Sequence, residues 1–295
     1  MRKSARGAWV LVWVAALASP GLRAEGTPAV GVLVVAHGGT NQWDSTVRKT
    51  VRAAELEHPV EVVFGMGMHA EEVRAFQDAV NRLERKQVGR IVIVPLLVSS
   101  SSEVFRQYEY LFGLRKTAEW PQAGKPLHLE VPVVMGQALD DDPALAEVLT
   151  ERARQLSRTP QDETVFLLAH GPVVDEDNRR WLSRLSQLGA QVQATGGFHE
   201  VRAFTMRDDA PNAIRERAER YLREALRNES RKRRVLVVPV LIARGGVERK
   251  IPKILVGLSY AYKGRTLLPH KKMEEWIARQ TARLASGGSS QPVLQ

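Results

Sequence analysis

The strongest constraint on the fold of this chain is an internal repeat. An apolar run that ends in Ala-His-Gly occurs at 31–39 and again at 164–172. A second apolar run, which contains a proline, occurs at 90–98 and again at 234–242, and both copies continue without insertion to a Leu-x-Gly-Leu sequence. Because the matches keep their order, the sequence predicts two copies of one structural unit.

A third match lies between these two. Residues 60–66 and 200–206 both end in Phe-x-Met, which predicts that the two methionines are equivalent. Each segment is followed by a stretch with helical spacing of its apolar residues, at 70–86 and at 212–226. Each half therefore alternates predicted strands and helices.

This alternation predicts the fold class. Continuous apolar runs are typical of strands buried on both faces in a parallel sheet, and βαβ connections place helices on both sides of it. A further short strand is expected at 129–135 and at 266–268. We expect an α/β protein of two tandem-repeat lobes, each a parallel sheet flanked by helices in flavodoxin- or Rossmann-like layers, with ligands at the carboxyl ends of the strands.

The expected domain boundary lies where Asp-Asp-Asp-Pro at 140–143 predicts a cap and the start of a helix. The N-terminal lobe is predicted at 27–140 and the C-terminal lobe at 141–282. The last residues, 283–295, are expected to be a disordered tail.

The N-terminus predicts export. Basic residues precede an apolar run at 8–18, and a small residue, Ala24, offers a cleavage point. These are the parts of a secretory signal peptide, predicted at 1–24, and they indicate a periplasmic or secreted protein. A membrane anchor is the alternative, but the run is shorter than the roughly 20 apolar residues that a spanning helix needs. No stable membrane insertion is expected.

Composition limits the chemistry. The chain has no cysteine, which excludes disulfides, thiolate metal sites and cysteine nucleophiles and leaves His, Glu, Asp and backbone oxygen as metal ligands. The formal net charge is +10, and removal of the four basic residues of the signal leaves +6. This charge favours an anionic small molecule or surface. Nucleic acid is not expected, because the basic clusters at 179–180 and 231–234 lack interleaved aromatic residues.

Three residues are the main candidates for chemistry. His37 and His170 each follow a buried strand, where an imidazole can accept a proton or bind a metal, or can simply hydrogen-bond to a neighbouring loop. Glu103 follows the strand that carries Pro95 and is expected to approach His37 across the rim of the sheet. A His and Glu pair suits Fe, Co or Zn. Alternatively, Glu103 interacts with the dipole in the first turn of a helix.

Two further groups have simpler interpretations. The serines at 99–102 can bind an anion at a helix N-terminus, but capping of that helix is the safer interpretation. The side chains of Met66, Met68, Met206 and His69 can form a soft metal site, although methionines at strand ends more often serve packing. No nucleotide-binding fingerprint is visible.

The motifs resemble those of a known family. The segments at 36–39, 94–99 and 245–251 are similar to those of class II tetrapyrrole chelatases of the sirohydrochlorin cobaltochelatase and ferrochelatase type, and the resemblance covers roughly residues 30–280. It implies a chelatase-like fold in which two facing lobes hold a tetrapyrrole while a metal ion is inserted. No organic cofactor is implied.

The resemblance also assigns roles. His37 stands at the family's first histidine, whereas Glu103 replaces the second, Val247 stands there in the other half, and Met66 stands near a family acid. The implied catalytic and metal-binding residues are His37 and Glu103, with His170 as a weaker second-lobe candidate. The implied activity is insertion of Co²⁺ or Fe²⁺ into an anionic sirohydrochlorin-type tetrapyrrole.

Two alternatives stay open. One is a noncatalytic periplasmic carrier or sensor of a metal ion, a tetrapyrrole or another small molecule on the same fold. The other is an ABC-type solute-binding protein, but its lobes are joined by crossing segments, whereas sequential copies predict two lobes that each come from one half of the chain.

Overall fold

The computed structural model describes residues 29–288, so the predicted signal peptide at 1–24 lies outside the described residues. The strands are β1 (Val30–Ala36), β2 (Val60–Phe64), β3 (Arg90–Leu96), β4 (Val133–Met135), β5 (Glu163–Ala169), β6 (Glu200–Thr205) and β7 (Arg234–Val240). The helices are α1 (Asn41–Ala53), α2 (Ala70–Glu84), α3 (Glu103–Leu111), α4 (Pro143–Arg154), α5 (Asp175–Gly196), α6 (Asn212–Glu229), α7 (Val247–Ile254) and α8 (Lys271–Ala285). No helix within 29–288 is long and apolar enough to cross a membrane.

The strands form two parallel sheets, which confirms the predicted α/β class. The first lobe is built on a sheet of order β2-β1-β3-β4, and the second lobe on a sheet of order β6-β5-β7. The short strand expected at 266–268 does not form. There the N–H groups of Leu267 and Leu268 donate to carbonyls that follow β7, while Ala261 makes an isolated bridge to Leu236. The second sheet therefore has three strands.

The strand pairing tests the sequence matches at the level of single residues. Ala36 pairs with Leu96, and Ala169 pairs with Val240, in agreement with the first and longest matches. The Phe-x-Met match is wrong by one residue. Ala36 pairs with Phe64, whereas Ala169 pairs with Thr205, so Thr205 is the equivalent of Phe64. Since side chains alternate between the faces of a strand, the matched phenylalanines lie on opposite faces of their sheets.

The two lobes share one apolar core. Alternate residues of β1 and β5, such as Val34 and Leu167, belong to the same buried cluster, which also takes side chains from α1, α4, α5 and α8. The outer face of the first sheet is covered by α2 and α3, and that of the second by α6 and α7. Their inner faces are thus buried together between the lobes.

Helix α4 starts as the sequence predicts. The carboxylate of Asp142 accepts a hydrogen bond of 2.9 Å from the N–H of Ala144, and Pro143 is the first helical residue. This helix packs on α5 and on β7, in the second lobe.

The last helix corrects the expectation that each lobe comes from one half of the chain. Helix α8 packs on α4 and also on β3 and α1 of the first lobe, and its residues Trp276, Ile277 and Leu284 are fully buried in the shared core. The chain therefore crosses back to the first lobe, because the inner face of the first sheet needs a second helix to cover it. Helix α8 also continues through Ala285, so residues 283–285 of the expected tail are helical, and 289–295 lie outside the described residues.

We predict that Trp276→Ala destabilises both lobes together. Truncation of a fully buried tryptophan leaves a cavity in the core that the lobes share, with an expected loss of about 3–5 kcal/mol. Urea unfolding followed by far-UV circular dichroism should give a single transition, shifted to lower urea. Val256→Ala, at a residue with 68% exposure, should leave the transition in place. Two separate transitions, of which only one shifts, would contradict a shared core.

Candidate metal centre at the strand ends

The two histidines lie in equivalent turns at the carboxyl ends of β1 and β5. In each turn Nδ1 is close to the carbonyl oxygen of the following glycine, at 2.9 Å for His37 and 3.0 Å for His170. A carbonyl oxygen only accepts, so Nδ1–H donates and the lone pair of Nε2 is available. His37 is exposed, whereas His170 is partly buried. Gly171 has a φ of +78°, and a Cβ there would lie 2.5 Å from Cβ of Thr205.

Glu103 lies in the first turn of α3, but its carboxylate serves the contact between the lobes. Oε1 accepts hydrogen bonds from the backbone N–H groups of Val173 (3.1 Å) and Val174 (3.2 Å), which lead into α5. A carboxylate at the N-terminus of a helix satisfies unpaired donors and the helix dipole. Within residues 29–288, neither His37 nor Glu103 belongs to a group of three side chains that could ligate one ion.

The second lobe contains such a group. One ligating atom each from His170, Asp208 and Asp209 lies within 4.8 Å of the others. Nε2 of His170 is 3.5 Å from Oδ2 of Asp209, whose side chain is 66% exposed. Asp208 is ion-paired with Lys250. One imidazole and two carboxylates suit a hard or borderline divalent cation, so the weaker histidine candidate has the more complete ligand set.

The sequence analysis missed Asp208 and Asp209. Their signal is a pair of acids shortly after β6, at the same carboxyl edge of the sheet where His170 follows β5. Counting by the strand register, the first lobe has Gly67 and Met68 at these positions, so the lobes differ in chemistry.

Arg207 fixes the shape of this centre. Its N–H donates to the carbonyl of His170 at 2.6 Å, and its buried guanidinium donates to the carbonyls of Pro172 and Val173 and to the carboxylate of Asp175. The hydrogen bond from Arg207 is the main reason that the pKa of Asp175 is below its ordinary value. The loop after β5 is thereby tied to the end of β6, which keeps His170 beside the two acids.

An ion pair joins the lobes close to the contact made by Glu103. Arg106 of α3 lies 2.9 Å from the carboxylate of Asp177 in α5 and also binds Glu119. Burial on its own would lower the pKa of Arg106, but the hydrogen bonds to Glu119 and Asp177 outweigh it and raise the pKa. Helix α3 therefore holds the first turn of α5 through both a carboxylate and a guanidinium.

Structural contacts account for the turn after β2, for Met206 and for Ser102. The turn after β2 is closed by Glu72, whose carboxylate accepts from the N–H groups of Met66, Met68 and His69 at 2.8–3.3 Å. Met206 is buried in the outer core of the second lobe. Ser102 caps α3 by accepting from the N–H of Phe105. The burial of Met206 agrees with the packing interpretation, and the hydrogen bond of Ser102 agrees with the capping interpretation.

In the loop after β7 the acid is Glu248, and its contacts differ from those of Glu103 in the first lobe. Val247, at the position equivalent to Glu103, is followed by the buried Glu248, which accepts from the N–H groups of Gly245 (3.2 Å) and Gly246 (2.9 Å). Burial alone would raise the pKa of Glu248, but these backbone hydrogen bonds lower it overall. In this lobe the carboxylate thus stabilises its own loop.

Comparison with solved structures identifies the class of fold. The structure of SirB from Bacillus subtilis with Fe³⁺ matches with a TM-score of 0.62 and 14% identity, over 88% of this chain and 96% of that chain. The sirohydrochlorin chelatase SirB from Bacillus subtilis subspecies spizizenii, in complex with cobalt, matches with a TM-score of 0.59 and the same identity and coverage. The chain therefore has a two-lobed α/β fold like that of SirB.

One part of the sequence matches a family model. Residues 31–156 match the CbiX family model, which confirms the resemblance to class II chelatases. This segment covers the first lobe and α4. A comparison with curated protein sequences gave no match.

We predict that Glu103→Ala destabilises the contact between the lobes, because two backbone N–H groups lose their acceptor. The expected loss in urea unfolding is about 0.5–1.5 kcal/mol, because these hydrogen bonds are exposed and the freed N–H groups can bond to water. Glu103→Gln keeps an acceptor oxygen and should lose less. If Glu103 instead acts mainly as a metal ligand, both variants should keep the stability of the wild type and lose metal binding.

The contribution of Glu248 should depend on pH. Its folded pKa is lower than the ordinary value of 4.5, so the stabilisation is present above 4.5 and is lost as the pH falls through the folded value. Thermal unfolding should show a higher Tm for the wild type than for Glu248→Gln at neutral pH, and the difference should shrink in acid. Glu224→Gln, an exposed control on α6, should show no such difference. A difference that grows in acid would contradict this role.

Proposed function

We propose that the protein inserts a divalent metal ion, Co²⁺ or Fe²⁺, into an anionic sirohydrochlorin-type tetrapyrrole. The chelatase fold and the CbiX segment support this activity. The observation that carries the proposal is the group of His170, Asp208 and Asp209 at the carboxyl ends of β5 and β6, where ligands of parallel sheets bind. The mature charge of +6 suits a polycarboxylate substrate.

The residues of the centre suit the delivery of a metal ion. The two aspartates offset the charge of the ion, and the exposure of Asp209 makes the centre accessible from solvent. Lys250 has to leave Asp208 when the cation arrives, since the ammonium and the metal compete for one carboxylate. Because Lys250 competes with the metal ion for Asp208, the centre is suited to release the metal ion to a substrate.

Insertion also requires proton transfer. When a divalent ion enters the tetrapyrrole, two pyrrole N–H protons leave, so the site needs a proton acceptor. His37 is our candidate for this role, because it is exposed at the rim and its Nε2 has a free lone pair. Glu103 is retained only as a secondary ligand candidate, since its carboxylate binds the loop of the other lobe.

A second candidate function is a noncatalytic carrier or sensor of the metal or the tetrapyrrole. It is favoured by the engagement of Glu103, which leaves His37 without the carboxylate partner that the sequence predicts. Export to the periplasm, proposed from the N-terminal sequence, also favours the carrier or sensor, because insertion of a metal ion into sirohydrochlorin is expected in the cytoplasm.

The test combines metal binding with turnover. Purified protein that lacks residues 1–24 is titrated with Co²⁺ by calorimetry, and insertion into sirohydrochlorin is followed by absorbance. We expect Asp208→Asn and His170→Ala to weaken Co²⁺ binding at least about tenfold, equivalent to about 1.4 kcal/mol. His37→Ala should retain Co²⁺ binding and lose insertion. Asp78→Asn, at an exposed acid of α2, should change neither.

The outcomes separate the two functions. An insertion rate equal to the spontaneous rate, with tight binding of tetrapyrrole or metal, would exclude the enzyme and support the carrier. Unchanged Co²⁺ binding in His170→Ala and Asp208→Asn would exclude the second-lobe centre.

A further inference from the structure

The corrected strand register shows a difference between the edge strands of the two lobes. At the end of β2, the ring of Phe64 meets Trp43 of α1 edge-on, with centroids 6.1 Å apart. The guanidinium of Arg48, also on α1, lies 4.6 Å from the centroid of the same ring. In the first lobe, three large side chains therefore fill the space between the edge strand and its helix.

In the second lobe the equivalent space is open. Thr205 replaces the phenylalanine, and its hydroxyl donates to Oδ1 of Asn178 at 2.8 Å. A groove with a volume of about 380 Å³ lies there between α5, β6 and α6. Its apolar lining consists of Leu182, Ala203, Phe204, Ile214, Ala218 and Tyr221. Because most of the lining is carbon, the groove can shield an apolar body from water.

The rim of this groove is cationic. Arg179, Arg207 and Arg217 line it, and the one acidic lining residue is Asp175. Asp175 pairs with Arg207 and lies 3.8 Å from Arg217. Arg179 is also paired with Glu176, which lies outside the lining, so Arg217 is the lining arginine with the weakest ion pair. Guanidinium groups bind carboxylates in a bidentate geometry, which gives the rim a chemical preference.

An exposed aromatic residue adds to this pattern. The side chain of Tyr221 is 62% exposed, and its ring lies 5.8 Å from that of Phe204. Large aromatic groups at solvent-facing positions are enriched where proteins bind partners, because they bury much apolar area. Here the ring forms one wall of the groove and offers a flat contact surface.

We propose that this groove binds a small amphipathic organic anion, with an aromatic body and at least one carboxylate. The aromatic body contacts the apolar lining in the space that Phe64 fills in the first lobe, and the carboxylate binds the exposed guanidinium of Arg217. The volume lies within the range of small-molecule sites. The groove is a separate site, because none of the three candidate metal ligands lines it, although it shares Arg207 with the support of the metal centre.

The experiment uses two probes that differ in charge. The full mature chain is titrated by calorimetry with 2-naphthoate and with the neutral 2-naphthalenemethanol. We expect 2-naphthoate to bind with a Kd below about 1 mM, and the alcohol to bind at least about fivefold more weakly. Absence of naphthoate binding to the wild type, or equal affinity for the two probes, would overturn the proposal.

Paired variants locate the site. Thr205→Phe restores the side chain of the first lobe and should reduce naphthoate affinity at least about tenfold, whereas Thr205→Val removes the same hydroxyl without filling the groove and should stay within about twofold. Ala218→Phe fills the groove from α6 and should repeat the loss if Thr205→Phe fails to fold.

Two arginines of α6 test whether the positive charge of the groove contributes to binding. Arg217→Gln should weaken naphthoate binding and leave the neutral probe unchanged, while Arg220→Gln, at an equally exposed arginine outside the groove, should change neither. Wild-type affinity in both filled variants would place naphthoate elsewhere and overturn the proposal.

Discussion

The apolar core between the two sheets is the constraint on which most other features of the molecule depend. The inner faces of both sheets, together with α1, α4, α5 and α8, form one buried cluster, so we expect the lobes to unfold together. Burial of apolar area is the dominant favourable term in folding, and here it also sets how the lobes face each other. The carboxyl ends of the strands consequently meet at one rim, where α3 contacts the start of α5 through Glu103 and Arg106.

The two lobes share a fold and differ in the chemistry of this rim. In the first lobe, His37 is exposed and Glu103 binds the other lobe. In the second, Arg207 holds the loop of His170 beside two aspartates, and Glu248 closes its own loop. A repeated unit keeps its buried strands because packing constrains them, while rim residues can change without loss of the core. The candidate metal centre and the groove between α5, β6 and α6 both lie in the second lobe, and their residues follow the segment that matches the CbiX model.

Much of the fold could be predicted from the sequence, because buried parallel strands are continuous apolar runs. The strands at 31–36 and 90–96, the helix start at Asp142 and the cap at Ser102 follow from local patterns. The crossing of α8 could not be predicted, since an amphipathic helix does not specify which sheet it covers. The Phe-x-Met match failed because residue identity does not reveal which face of a strand a side chain occupies. The contacts of Glu103 with the loop after β5 and of Asp208 with Lys250 could not be predicted either, because these partners are distant in sequence and meet only in the tertiary structure.

The most direct test is an anomalous difference map from crystals of the Co²⁺ complex. A second-lobe centre predicts a peak bonded to Nε2 of His170 and to oxygens of Asp208 and Asp209, with Lys250 displaced and Glu103 still bound to the loop after β5. A peak at His37, with the carboxylate of Glu103 turned away from Val173 toward the metal, would contradict this centre and restore the assignment made from the sequence.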